Sequence, residues 1–169
     1  MVCRLTIGKK KYADVQEEMG KILEESERLR NRLTLLIDED TAAFNEVMTA
    51  FALPKASAEQ QETRINAIQT ATKKASLVPL EVMGLSASAA SLAKCVSEKG
   101  NTNSITDAGV ACLAATTAYR GAMMNVLVNL SSIKDQEFVE STRQSVEKIL
   151  ADAEDATAKT LKRVRIVLV

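Results

Sequence analysis

Two aspartates stand where a helical pattern asks for other side chains. Asp40 lies four residues from Leu36 and four from Phe44, in the inward register of a long helix. A carboxylate there is paired, hydrogen-bonded, raised in pKa or open to a wet cavity, and in the last two states it can move protons. The competing geometry is a slip in the seam that turns Asp40 to the helix edge. Asp38 is about 200° around the same helix, so the two carboxylates cannot both point inward. Asp107 and Asn125 are 18 residues apart on a later helix and share an azimuth after five turns. Ala111, Ala114, Ala118, Gly121, Ala122 and Asn129 lie on that face. Such a stripe either packs closely on another helix, with Asp107 serving its own helix N-terminus, or walls a groove for a flat ligand. Lys9-Lys10-Lys11, after Gly8, is a short basic run whose plain reading is a solvated turn.

Composition narrows the chemistry available to these groups. The 169 residues contain no histidine and no tryptophan, which removes histidine acid–base catalysis, Ser–His and Cys–His nucleophiles, and the usual zinc and haem ligands. No metal site is expected. Lys+Arg and Asp+Glu are equal at 22 each, so no general field draws the chain to nucleic acid or an anionic membrane. The basic run is too short, and too poor in interleaved aromatics, for base stacking. Gly8 and Gly100 form no phosphate loop. Cys3, Cys95 and Cys112 have no CxxC spacing and read as reduced core thiols of a cytoplasmic protein. The basic N-terminus lacks the apolar core of a signal peptide. The most membrane-like stretch, Ala108 to Leu130, carries Arg120, Thr116, Thr117, Asn125 and Asn129, which suits a buried helix of a soluble bundle better than lipid.

The elements that must position these residues are helices. Alanine contributes 24 residues, against 6 Gly and 2 Pro, a composition for helices packed through small side chains. The first runs from about Tyr12 to Leu53, with Val15, Met19, Ile22, Ser26, Leu29, Leu33, Leu36, Asp40, Phe44, Val47 and Phe51 inward. Ser57 and Gln60 form a capping box for the second, whose inward row at heptad spacing is Ile65, Ile68, Ala71, Ala75, Val78, Val82, Leu85, Ala89, Leu92 and Val96. Pro79 should kink it. Gly100-Asn101-Thr102-Asn103 ends it, and Ser104 with Asp107 is a capping signal for the third, Ile105 to Ser131. A break near Lys134-Asp135 precedes a final amphipathic helix. Short connections force antiparallel neighbours. The expected fold is a single all-α domain over residues 1–169, an elongated antiparallel bundle that dimerises to cover its seams.

Five segments carry a family resemblance: LTIGKKKY (5–12), LIDEDTAAFNEVM (36–48), VPLEVM (78–83), GNTNSITDAGVA (100–111) and NVLVNLSSIKD (125–135). In order and spacing the chain resembles the cyclodeaminase/cyclohydrolase family of folate one-carbon enzymes, over about residues 1–160. The resemblance implies an all-helical dimer with a folate cleft at the bundle and dimer surface. Members usually begin with a glycine-rich segment leading into a helix of small residues. Here Met1 falls within that helix, so the chain reads as N-terminally short relative to the family.

The resemblance further implies a one-carbon reaction on a tetrahydrofolate derivative, without metal or redox cofactor. The first expectation is the cyclodeaminase reaction, in which N10 of 5-formiminotetrahydrofolate attacks the formimino carbon, ammonia leaves, and 5,10-methenyltetrahydrofolate forms; the cyclohydrolase is the alternative. In the cyclohydrolase reaction water adds to the methenyl carbon and 10-formyltetrahydrofolate forms. A third reading is a non-catalytic dimerisation module. With no histidine, the family motifs make Asp40 the expected acid–base residue. Asp107 is the second catalytic carboxylate candidate and, with Asn101 and Asn103, would orient the pterin ring, with Asn125 as a further polar contact. Lys9 and Lys10 would hold the glutamate tail, polyglutamylated in the usual substrate, and Phe44 would pack on the ring.

Overall fold

The computed structural model describes residues 1–169. It is all helical, with no strand: α1 (Val2–Thr6), a 3-10 turn (Lys10–Val15), α2 (Gln16–Ala52), α3 (Ala58–Lys99), a second 3-10 turn (Thr102–Ser104), α4 (Ile105–Leu130) and α5 (Gln136–Leu168). The four long helices run antiparallel to their sequence neighbours. Cross-helix pairs show this for α2 and α3, where Arg32 meets Glu81, Lys74 meets Glu46 and Lys99 meets Glu18. Arg120 with Glu154 and Thr116 with Thr157 show it for α4 and α5. At 42 residues α3 is about 63 Å long, so the bundle is a rod.

Local chemistry sets the helix ends. The Ser57 hydroxyl accepts the Gln60 N–H at 3.2 Å, while the Gln60 carboxamide accepts the Ser57 N–H at 3.3 Å. The Asp135 carboxylate caps α5 by accepting the Phe138 N–H at 3.1 Å. Ser104 makes no side-chain cap, contrary to the expectation from its spacing to Asp107. It belongs to the 3-10 turn and is buried there, so its hydroxyl is not at an open helix start.

α3 is the central helix and packs on α2, α4 and α5. Its 42 residues include a window long and apolar enough to cross a membrane, a property that helices at the centre of a bundle share. The main core joins α3, α4 and α5 through Met83, Ala90, Tyr119, Val126, Leu130 and Ala153. A smaller core joins α1 to the bundle through Val2, Cys3, Met19, Ile22, Val96 and Ala108. Gly100 is required at the contact with α1: a Cβ there would lie 2.5 Å from the Val96 carbonyl oxygen and 2.8 Å from Val2 Cγ1. All three cysteines are free, and burial pushes the Cys3 thiol above its ordinary pKa.

α3 continues through Pro79 as one unbroken helix. Proline lacks an N–H, which strips the Ala75 carbonyl of its usual helical donor. The side-chain amide of Asn129 on α4 takes that place, donating to the Ala75 carbonyl at 3.2 Å.

The inward row of α2 also differs from the expected one. The buried residues Ile22, Leu29, Leu36, Ala43 and Ala50 repeat every seven residues without a slip. Phe44 and Phe51 are therefore exposed; Asp40 keeps the flanking register of the half-buried Ser26, Leu33 and Val47, about 40° round the helix from Leu36, yet is itself exposed. Ile65 of α3, expected inward, is exposed as well.

Candidate functional site

One end of the bundle gathers most of the polar residues singled out by the sequence. The chain leaves α1 through Gly8, whose φ of 79° is one that other residues rarely adopt. Gln16, at the start of α2, holds this turn together. Its carbonyl oxygen accepts the Gly8 N–H at 2.7 Å, and its amide donates to the Tyr12 carbonyl at 2.6 Å and the Thr6 carbonyl at 3.4 Å. The turn projects Lys9, Lys10 and Lys11, all exposed and none taking part in an ion pair. Lys11 Nζ lies 5.5 Å from the centre of the Tyr12 ring.

The loop from α3 to α4 packs against this turn. The Asn101 N–H donates to Thr6 Oγ1 at 2.8 Å, and its side-chain amide donates to the Leu5 carbonyl at 3.0 Å. Asn101 Oδ1 accepts the Asn103 N–H at 3.1 Å and the Tyr12 hydroxyl at 3.4 Å. Both ends of the Asn101 amide are thus bonded within the protein, so Asn101 shapes the loop and leaves little to offer a ligand. Asn103 is exposed beside it. The Tyr12 hydroxyl accepts the Thr102 N–H at 3.1 Å, and these bonds with Thr102 bring its pKa below the ordinary tyrosine value.

Asp107 sits half-buried in the first turn of α4, on the wall of a groove of about 690 Å³. Met1, Cys3, Ile22, Leu33, Leu92 and Val110 make this groove mostly apolar, with Arg30 and Asp107 as its charged residues. Arg30 is held by Glu27 at 2.8 Å. Asp107 has no ion-pair or hydrogen-bond partner on its side chain, so its carboxylate is available to a ligand in the groove. The stripe above it (Ala111, Ala114, Ala118 and Gly121) is exposed, so it walls an open face.

The other expected residues lie elsewhere. Asn125 is exposed on α4, 18 residues and about 27 Å along the axis from Asp107. Asp40 lies one turn beyond Ile37, which lines the far end of the groove. Ile22 shares a core cluster with Ala108, so Asp40 stands about 27 Å along α2 from the level of Asp107. Within one chain Asp40, Phe44 and Asn125 are not joined to the end that holds Lys9, Lys10, Asn103 and Asp107. Tyr12, Gln16, Thr102 and Arg30 are the residues sequence reasoning missed. No three metal-ligating side chains converge anywhere in the chain.

A formiminotransferase-cyclodeaminase family model matches residues 1–148. The chain belongs to this family. Within it, the chain is 45% identical over 153 residues to the methenyltetrahydrofolate cyclohydrolase of Methylorubrum extorquens, covering 90% of this chain and 74% of that one. It is 32% identical to the formimidoyltransferase-cyclodeaminase of Rattus norvegicus over 95% of its own length, but spans only 30% of that longer protein. The crystal structure of formiminotetrahydrofolate cyclodeaminase from Thermotoga maritima superposes with a TM-score of 0.90 at 30% identity, covering all of this chain and 80% of that one. The formiminotransferase-cyclodeaminase family fold is thus the bundle described above.

Proposed function

We propose that the chain is a folate one-carbon enzyme that hydrolyses 5,10-methenyltetrahydrofolate to 10-formyltetrahydrofolate. The supporting observation is the 45% identity, over nine-tenths of this chain, to a protein named for that reaction. The substrate is a cationic amidinium and water is the nucleophile. Asp107 takes a proton from water as its oxygen bonds to the methenyl carbon. The C–N5 bond of the adduct then breaks, its electron pair stays on N5, and N5 receives a proton. The hydroxyl oxygen loses its proton and becomes the formyl carbonyl. One water is consumed and one proton released, with no redox change and no need of a metal. Lys9 and Lys10 hold the anionic glutamate tail, polyglutamylated in the preferred substrate, and Asn103 meets the ring system. The reading places the enzyme in the cytoplasm.

The Thermotoga structure favours a second reading, formiminotetrahydrofolate cyclodeaminase. That reaction uses the same groove but expels ammonia after N10 attacks the formimino carbon. Purified chain offered each substrate separately distinguishes them: hydrolysis of the methenyl compound supports the first reading, and ammonia release from the formimino compound the second.

We further propose that the working form is a symmetric dimer. Phe44 is 60% exposed, Met48 51% and Phe51 50% on α2, and Val110 is 66% exposed on α4. This much apolar surface on one rod is what a second copy covers. Sedimentation equilibrium at micromolar concentration should give twice the chain mass. A Phe44→Glu/Phe51→Glu variant should sediment as a monomer, and a wild-type monomer would refute the assembly.

A further inference from the structure

We propose that Tyr12 is a positioning residue whose hydroxyl latches the basic turn to the Asn101–Asn103 loop, so that Lys9 and Lys10 face the tail of a bound folate. The proposal rests on the reading of that turn as the grip for the glutamate tail. Its basis is the arrangement of bonds at this end of the bundle. The Tyr12 hydroxyl accepts the Thr102 N–H at 3.1 Å and lies 3.4 Å from both Asn101 Oδ1 and Thr102 Oγ1. It therefore joins two segments about 90 residues apart in the chain. The other bonds of the loop run to α1, from Asn101 to Thr6 and Leu5, and leave the lysine turn untouched. Gln16 fixes the shape of the turn but makes no bond to the loop. Removing the hydroxyl thus breaks the direct link between turn and loop, while the Lys9 N–H and Gln16 still hold the base of the turn to the Thr6 carbonyl and the loop stays attached to the bundle. The ring and its Lys11 neighbour remain.

The test is calorimetric binding of pteroylmonoglutamate and pteroyltriglutamate to the full chain, which needs no turnover. Wild type should bind the triglutamate about tenfold more tightly than the monoglutamate, because added carboxylates meet the unpaired lysines. Tyr12→Phe should lose most of that preference, with the monoglutamate Kd moving by less than about threefold. Lys9→Ala/Lys10→Ala should lose it too, and adding Tyr12→Phe to that background should change nothing further, the signature of a shared effect. A structural role would instead lower thermal stability and weaken both ligands alike. A Tyr12→Phe chain that keeps the preference, while the lysine variant loses it, overturns the latch and leaves the tail grip standing. A lysine variant that keeps the preference, or a wild type that binds neither ligand, overturns the reading of the turn and the latch with it.

Discussion

Asp107→Asn should lower turnover of methenyltetrahydrofolate by roughly two to four orders of magnitude, the usual range for a lost general base. The amide keeps the shape of the carboxylate but cannot take the proton from water. Folate affinity should change little, because tail and ring contacts are elsewhere, so the loss falls on kcat rather than KM. Stability should stay within about 1 kcal/mol, since the Asp107 side chain holds no partner that the amide would abandon. Asp40→Asn is the comparison. Asp40 is exposed and lies about 27 Å along the bundle from the level of Asp107, so its loss should cost less than about tenfold. If Asp40→Asn caused the larger loss, the reacting face would be the outer face of α2 beside Phe44, completed by a second copy, and the groove end would not be the site of chemistry.

A second large effect is expected where α3 passes through Pro79. Asn129→Ala removes the only side-chain donor that reaches the Ala75 carbonyl, and should destabilise the fold by about 1–3 kcal/mol. Pro79→Ala supplies a backbone N–H to the same carbonyl. In that background Asn129→Ala should cost less than about 0.5 kcal/mol. Urea unfolding of the four chains of this cycle measures the coupling. Equal costs in both backgrounds would show that Asn129 acts through its packing and not through the proline gap.

The helices themselves were legible because their signals are local. The capping box at Ser57, the Gly100 loop and the Asp135 break are each written within a few residues, and all three fall where the sequence places them. The inward face of α2 was legible only as far as Leu36. Beyond it Phe44 and Phe51 look like better core residues than Ala43 and Ala50, yet the alanines are buried and the aromatics exposed. Burial at this end of α2 falls on small side chains, and bulk alone pointed the wrong way. Asp40 keeps the register expected of it but, unlike the half-buried Leu33 and Val47 of the same row, is exposed. α3 misled by one residue: its buried row, Thr72, Ser76, Pro79, Met83, Ser86, Ala90, Ala93 and Ser97, keeps heptad spacing but lies one position on from the row of Val78, Val82, Leu85 and Ala89 that apolar bulk suggests, which is only half-buried.

At the site, residue types announced the lysine turn and the asparagine loop but not how they are used. Asn101 reads as a ligand contact from its family motif, whereas its amide is bonded to Leu5, Asn103 and Tyr12. Tyr12 and Thr102 are 90 residues apart, and a bond of that range leaves no mark in local spacing. Gln16 looks like an ordinary surface residue at a helix start until the Gly8 turn folds over it. The proline gap at Ala75 was half legible: Pro79 announces a missing donor, but nothing in the sequence says that Asn129 supplies it.

The most direct test of the account follows methenyltetrahydrofolate by absorbance in the presence of the purified chain, with ammonia release from 5-formiminotetrahydrofolate measured in parallel. The chain should accelerate hydrolysis of the methenyl compound to 10-formyltetrahydrofolate well above the buffer rate, with the larger kcat/KM of the two reactions. Faster release of ammonia from the formimino compound, or no acceleration of either reaction, would contradict it.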